Sequence, residues 1–197
     1  MKFKILKVLI LLVILFSVVD GFGTVSNFKE KSGSIKFYDS DGKLFYEYVN
    51  GLVGYQTPVS LSSYPKYITE LAVSSEDKRF FTHVGVDPLG MSRAFKENIA
   101  QKHIVSGAST ITQQVSRRNL KKNTLLTNKL IRKIREINSA LYLEILYSKE
   151  DILEDYLNNV YLGFNNYGVE SAAHYYFNKS SKDLSLNEGA VLIGMII

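Results

Sequence analysis

Cysteine is missing altogether, so neither a disulfide framework nor a thiolate metal centre is open to this chain. Histidine is scarce as well, and three scattered residues make a zinc centre a poor expectation. Only three prolines and no low-complexity run argue against extensive disorder. What remains is ordinary for a globular protein that can bury a core: 197 residues, 46% hydrophobic and 22% charged. That length suits one domain with an accessory segment. A net charge of +5 favours an anionic partner, whether nucleic acid, an acidic membrane surface or a phosphate-bearing substrate. Charge alone does not choose among them, and a merely solvated basic surface has the same composition.

The N-terminus narrows the choice. Lys2, Lys4 and Lys7 precede an apolar run from Val8 to Val19, broken only by Ser17. With Ile5 and Leu6 included and Lys7 snorkelling, the run approaches the lower limit of about 17 residues for a bilayer span. Leading lysines place the N-terminus in the cytoplasm and export the rest. Gly21-x-Gly23 is a poor cleavage site, so residues 1–23 are expected to form an uncleaved, single-pass anchor. From Ser34 to Val59 the pattern alternates, with Ile35 and Phe37 before Asp41-Gly42 and Leu44, Tyr46 and Tyr48 after it. This predicts a β-hairpin within a linker over 24–62.

Everything beyond Ser63 reads as helix. Pro65 suits a first helical position, and Asp87-Pro88 opens another helix. Leu130, Ile131, Ile134, Ile137, Leu141 and Ile145 form a stripe expected to be buried. Ser148-x-x-Asp151 reads as a capping box, Gly163 as the end of the helix that follows, and a last helix begins near Leu186.

Three clusters carry the chemistry. In the first, Glu76-Asp77-Lys78-Arg79-Phe80-Phe81-Thr82-His83-Val84-Gly85, a helical conformation would put Glu76, Phe80 and His83 on one face. A carboxylate beside an aromatic ring and an imidazole suits general-base work. A surface helix with Glu76 solvated and Phe80 in the core is the plainer reading. In the second, Gly107-Ala108-Ser109-Thr110-Ile111-Thr112-Gln113-Gln114, a glycine and small hydroxyl residues at a helix entrance offer N–H groups to a diphosphate. Thr110, Gln113, Gln114 and Arg117 would share a face, although Ser109 or Thr110 also suits a simple N-cap. In the third, Arg132-Lys133-Ile134-Arg135-Glu136, the bland reading is a surface ion pair of Arg132 with Glu136. The alternative is a second carboxylate among cations that hold phosphate.

Together these clusters resemble the glycosyltransferase domain of peptidoglycan polymerases, the lysozyme-like family 51 enzymes. Its Glu-Asp-x-x-Phe-x-x-His-x-Gly motif is matched from Glu76 to Gly85, Gly-x-Ser-Thr-x-Thr-Gln-Gln from Gly107 to Gln114, and Arg-Lys-x-x-Glu from Arg132 to Glu136. Ser148-Lys149-x-x-Ile152-Leu153-Glu154-x-Tyr156-Leu157-Asn158 and Gly168-Val169-x-x-Ala172-Ala173 follow in the family's order. Departures are Arg117-Arg118 where the family usually has Lys-Asn, Asn128-Lys129 in place of an arginine, and an end seven residues past Ala190.

The resemblance implies a mainly α, lysozyme-like domain over 63–197, truncated at its C-terminus, behind the anchor and hairpin. It implies inverting polymerisation of lipid II on the extracytoplasmic side of the cell membrane, with release of undecaprenyl diphosphate. Glu76 is then the general base and Glu136 a second catalytic carboxylate. Asp77, Phe80, His83, Ser109, Thr110, Gln113, Gln114, Arg117, Arg132, Lys133 and Arg135 would bind substrate. No cofactor or resident metal is required, and Mg or Mn could sit at the substrate diphosphate. The expected partners are lipid II, the growing glycan, the membrane and other cell-wall synthesis proteins, not nucleic acid. A lytic hydrolase on the same scaffold would have no use for the second and third clusters. A non-catalytic truncated polymerase is the other alternative, suggested by the early end.

Overall fold

The computed structural model describes Phe28 and residues 33–49, 54–101, 109–120 and 129–196. The expected anchor over 1–23 lies outside them, as do Gly107 and Ala108. Among the described residues no helix is long and apolar enough to cross a membrane. The architecture is mainly helical with little sheet. Its strands are β1 (Ile35–Tyr38), β2 (Leu44–Tyr48), β3 (Tyr55–Gln56) and β4 (Asn166–Tyr167). Its helices are α1 (Lys66–Glu76), α2 (Pro88–Gln101), α3 (Ile111–Asn119), α4 (Lys129–Leu146), α5 (Lys149–Asn159), α6 (Val169–Phe177) and α7 (Leu186–Gly194). They divide between two compact units, with a change from the first to the second after Ile152.

The first unit, which includes residues 79–152, is organised by α3 against α4. Phe80, Ala94, Ile111, Val115, Ala140 and Leu143 are among its buried apolar residues. The expected stripe on α4 is not the buried one. Ile134, Leu141 and Ile145 are exposed, whereas Glu136, Ser139, Ala140 and Leu143 face inward, one position round the helix. The partner helix explains the rotation. The buried face of α3 carries Thr112, Gln113 and Ser116, which need polar partners once removed from water. The polar side of α4 supplies them: Ser116 donates to the Glu136 carbonyl at 3.0 Å and Thr112 to the Glu144 carboxylate at 2.5 Å. Ser139 and Ala140 are small enough to let the helices approach.

Asp87 starts α2 as expected, its carboxylate accepting from the Gly90 N–H at 3.0 Å while also pairing with Arg79. Ser148 and Asp151 cap α5 reciprocally, with Ser148 N–H to the carboxylate at 3.2 Å and Asp151 N–H to the hydroxyl at 3.1 Å. The helix then ends at Asn159, before Gly163.

The second unit covers 33–78 and 153–196 among the described residues. Its hairpin pairs β1 with β2 antiparallel, Ile35 opposite Tyr48 and Phe37 opposite Tyr46. Asp39 accepts from the N–H groups of Asp41 and Lys43, and Gly42 takes φ 76° at the turn. Strands β3 and β4 form a short parallel pair. Helix α1 begins one residue later than expected, with Pro65 as its N-cap, and packs on α7. Ile68 and Ala72 on α1 and Leu192 and Ile193 on α7 are buried, and a Cβ at Gly189 would stand 2.4 Å from the Ile68 side chain. Ser185 and Glu188 form the capping box of α7.

Candidate active site

No single helical face joins Glu76, Phe80 and His83. Helix α1 ends at Glu76, Asp77 leaves it at φ −155°, and Phe80 opens a separate 3-10 turn to Thr82. The reason is packing: the turn drives the Phe80 ring into full burial, which continued helix would have to achieve along the Glu76 face. His83 lies edge-on to Phe80, and its Nδ1 accepts from the Gly85 N–H at 3.1 Å. Gly85 itself has φ 84°, and a Cβ there would stand 2.9 Å from the Ala140 carbonyl oxygen. Only glycine meets both demands without strain.

Thr110 is the N-cap of α3 rather than part of its face. Its hydroxyl accepts from the Gln113 N–H at 3.1 Å and donates to the Gly85 carbonyl at 2.7 Å. The cap therefore ties the tail of the first motif to the second. Gln113 completes the capping box with its Oε1, is fully buried, and leaves Nε2 without a hydrogen-bond partner among the described residues. Gln114 is half-buried on the same helix.

The second and third motifs converge on Glu136, which is only 1% exposed. Arg117 grips it in a fork, Nε to Oε1 at 2.9 Å and Nη2 to Oε2 at 3.2 Å. Arg132 Nε lies 3.6 Å from Oε1 and Lys133 Nζ 3.5 Å from Oε2. The expected surface pair is thus a buried carboxylate under three cations, which leaves the cluster positively charged. Lys133 also donates to Ser109 Oγ and Gln113 Oε1, both at 3.0 Å. Partial burial, followed by the neighbouring Arg117 and Arg132, holds its ammonium below the ordinary lysine range against the pull of Glu136. Arg117 and Arg132 keep about half or more of their side chains in water, at 52% and 63% exposed. Arg135 is half-buried on α4. Such an array is built to receive an anion with more than one negative oxygen. Among the described residues, no group of three His, Asp or Glu side chains is placed to hold a metal.

Glu76 and Asp77 belong to the second unit. Glu76 is half-buried at the end of the inward stripe Ile68, Ala72, Glu76, while Asp77 is buried and its N–H bonds the Val73 carbonyl. Tyr156 of α5 is buried, and its hydroxyl has no hydrogen-bond partner among the described residues. Burial first, and the charge of Glu76 second, push the Tyr156 phenol well above its ordinary range. Sequence patterning gave no chemistry for three other side chains. Glu144 joins Thr112 to Lys149, and Lys149 lies 4.4 Å over the Phe80 ring. In the second unit Asn158 accepts from the Tyr64 hydroxyl at 3.0 Å and from the Val59 N–H at 2.9 Å. An asparagine inside an amphipathic helix gives no warning that it will anchor a distant loop.

Residues 41–197 match the family model described as Transglycosylase. Penicillin-binding protein 1A of Vibrio cholerae serotype O1 is 40% identical over 82% of the chain and 19% of its own length. Penicillin-binding protein 1F of Bacillus subtilis is 46% identical over 68% of the chain and 18% of its own length. The Haemophilus influenzae protein 1A is 38% identical over 97% of the chain and 22% of its own length. The chain belongs to the transglycosylase family, as a peptidoglycan glycosyltransferase domain. It spans about a fifth of the length of these curated relatives.

Proposed function

We propose that this chain polymerises lipid II, with a lipid-diphosphate-linked glycan as donor and a second lipid II as acceptor. The observation that carries the reading is the cationic array over Glu136, in which Arg117, Arg132 and Lys133 share one buried carboxylate. Lysozyme-like chemistry that only cleaves glycan has no diphosphate for such an array to hold. Here the leaving group is a lipid diphosphate, whose charge grows as the glycosidic carbon is attacked. Fixed cations and the orphaned Gln113 amide stabilise charge where it develops.

Roles follow residue by residue. Glu76 removes the proton from the acceptor sugar's 4-hydroxyl, and that oxygen attacks C1 of the donor with inversion. Arg117, Arg132, Lys133 and Arg135 bind the departing diphosphate, while Glu136 holds the cations in register. Ser109 and Gln113 orient Lys133, and Thr110 holds the first motif to α3. Phe80, His83, Asp77 and Gln114 contribute to substrate binding, as the family resemblance implies. No resident cofactor enters the scheme, and a Mg or Mn ion would travel with the substrate. The first 23 residues anchor the chain with its working part outside the cytoplasmic membrane, alongside other cell-wall synthesis proteins.

The test is incubation of the purified chain with labelled lipid II, followed by gel analysis for glycan polymer, with and without EDTA. Polymer formation supports the reading. Release of short soluble saccharides from preformed glycan, with no polymer from lipid II, would replace it with the hydrolase. A general base contributes roughly 10²–10⁴-fold in rate, so Glu76→Gln is expected to lower turnover by that factor.

A further inference from the structure

Between α5 and α6 the second unit holds aromatic rings out in water on a tightly tied loop. Phe164 and Asn165 both take left-handed backbone angles, φ 45° and 62°. An L side chain does not choose that conformation unaided, so the surroundings must impose it. Asn166, only 2% exposed, donates its side-chain amide to the carbonyls of Gly163 at 3.3 Å and Phe164 at 3.1 Å. Its backbone N–H bonds the Gly163 carbonyl at 2.8 Å, and its carbonyl accepts from the Leu162 N–H at 3.0 Å. The Tyr176 hydroxyl donates to the Leu162 carbonyl and the Tyr55 N–H to the Asn165 carbonyl, both at 2.8 Å. Burial is not what this framework secures. The Phe164 ring is 69% exposed and stacks on Tyr175 of α6, itself 53% exposed, with centroids 5.5 Å apart and planes 22° apart. Tyr176 stands edge-on to both rings. A strained backbone that keeps a ring in water points to a ligand for the ring.

Charge indicates what that ligand is. The run from Tyr161 to Gly168 contains no Asp, Glu, Lys or Arg, in a chain of net charge +5. A phosphate, a nucleic acid or an anionic lipid surface calls for cations at the point of contact, and this loop supplies none. A neutral ligand with flat apolar faces and a polar rim fits instead. The C–H face of a pyranose ring lies against the negative face of an aromatic ring, while its hydroxyl and acetamido groups suit the Tyr175 hydroxyl and the exposed Asn165. We propose that Phe164 and Tyr175 form a glycan-binding platform, made of residues other than the catalytic ones, on which sugar rings of the growing β-1,4-linked amino-sugar strand stack. The inference deepens the polymerase reading and rests on it for the identity of the strand.

The experiment titrates the full chain with chitohexaose, a β-1,4-linked N-acetylglucosamine hexamer that carries no peptide, lipid or diphosphate, and follows heat of binding. Wild type, Phe164→Tyr and Phe164→Gly are compared, each with a thermal melt and a gel of the polymer made from lipid II. Wild type and Phe164→Tyr should bind the hexamer alike, because both keep a ring. Phe164→Gly should bind about tenfold more weakly through loss of the stacking ring. Its Tm should be unchanged or higher, because glycine takes φ 45° without strain. Its strands should be shorter than those of the wild type. No binding by the wild type, undiminished binding by Phe164→Gly, or a Tm that falls together with its binding would each overturn the platform. Weakened binding with strands of wild-type length would overturn its assignment to the growing strand. Adsorption to neutral vesicles that Phe164→Gly loses, without sugar binding by the wild type, would give the rings to lipid instead. If polymer forms and the hexamer is not bound, only the platform fails. If the hexamer is bound and no polymer forms, the polymerase reading fails and the platform stands as a glycan site.

Discussion

Arg132 separates a structural ion pair from a phosphate ligand. It lies 3.6 Å from Glu136 with 63% of its side chain in water, and Arg117 already grips that carboxylate through two shorter bonds. Losing so exposed a partner should cost under ~1 kcal/mol of stability. If its guanidinium holds a diphosphate oxygen, Arg132→Ala removes a charge-assisted bond of about 1.5–3 kcal/mol, roughly a ten- to hundredfold loss in kcat/KM. The expected outcome is that loss with a melting temperature close to wild type, checked by kinetics on lipid II beside a thermal melt. Glu136→Ala behaves differently, because it strips the one negative group from among three cations. It should lower stability by about 1–3 kcal/mol and be visible in the melt before any assay. Residue identities at this cluster were legible in the sequence through Arg-Lys-x-x-Glu, but the burial of Glu136 was not. Spacing paired it with Arg132 on its own helix, whereas its tightest partner, Arg117, comes from α3, and no local pattern announces a partner 19 positions away.

Among the elements, α3 depends on its N-terminus, where Thr110 both caps the helix and holds Gly85. Thr110→Val keeps the shape and removes both hydrogen bonds, and should cost about 0.5–2 kcal/mol by loss of the cap. Gly85→Ala should cost about 1–3 kcal/mol, since it adds a Cβ against Ala140 at a backbone conformation suited to glycine. Either change is read by thermal denaturation. At the other end of the chain, Glu188 caps α7 and binds Lys179. The Ser185 N–H first, then Lys179 and the Ser185 hydroxyl, hold its carboxyl down at about 2, against 4.5 ordinarily. Between those values the unfolded chain binds a proton that the folded chain refuses, so stability falls as pH drops through this window. Glu188→Gln should flatten the acid fall in Tm between pH 4.5 and about 2.

The Ser148-x-x-Asp151 cap and the Asp41-Gly42 hairpin were readable in advance because each is written within a few consecutive residues. The face of α4 was not. Its apolar stripe is real in the sequence, but α3 presents hydroxyl and amide groups, and satisfying them turned Ile134, Leu141 and Ile145 outward. The break after Glu76 was hidden as well: Phe80 opens a separate 3-10 turn in which its ring is fully buried, and no local pattern announces that turn.

For the molecule as a whole, an anchor over residues 1–23 as expected from the sequence would supply nearness to lipid rather than chemistry. Deleting those residues should reduce turnover on vesicle-embedded lipid II far more than on detergent-dispersed lipid II, and parallel assays of the two substrates decide it. Equal losses in both would give the segment a part in the acceptor site. The buried Glu136 also bears on what happens after each transfer. If Arg117, Arg132 and Lys133 hold the leaving diphosphate as proposed, they do so with Glu136 still among them as a built-in counter-charge. A partly neutralised array would hold the anion more loosely than bare cations, which would favour release of the spent carrier lipid after each transfer.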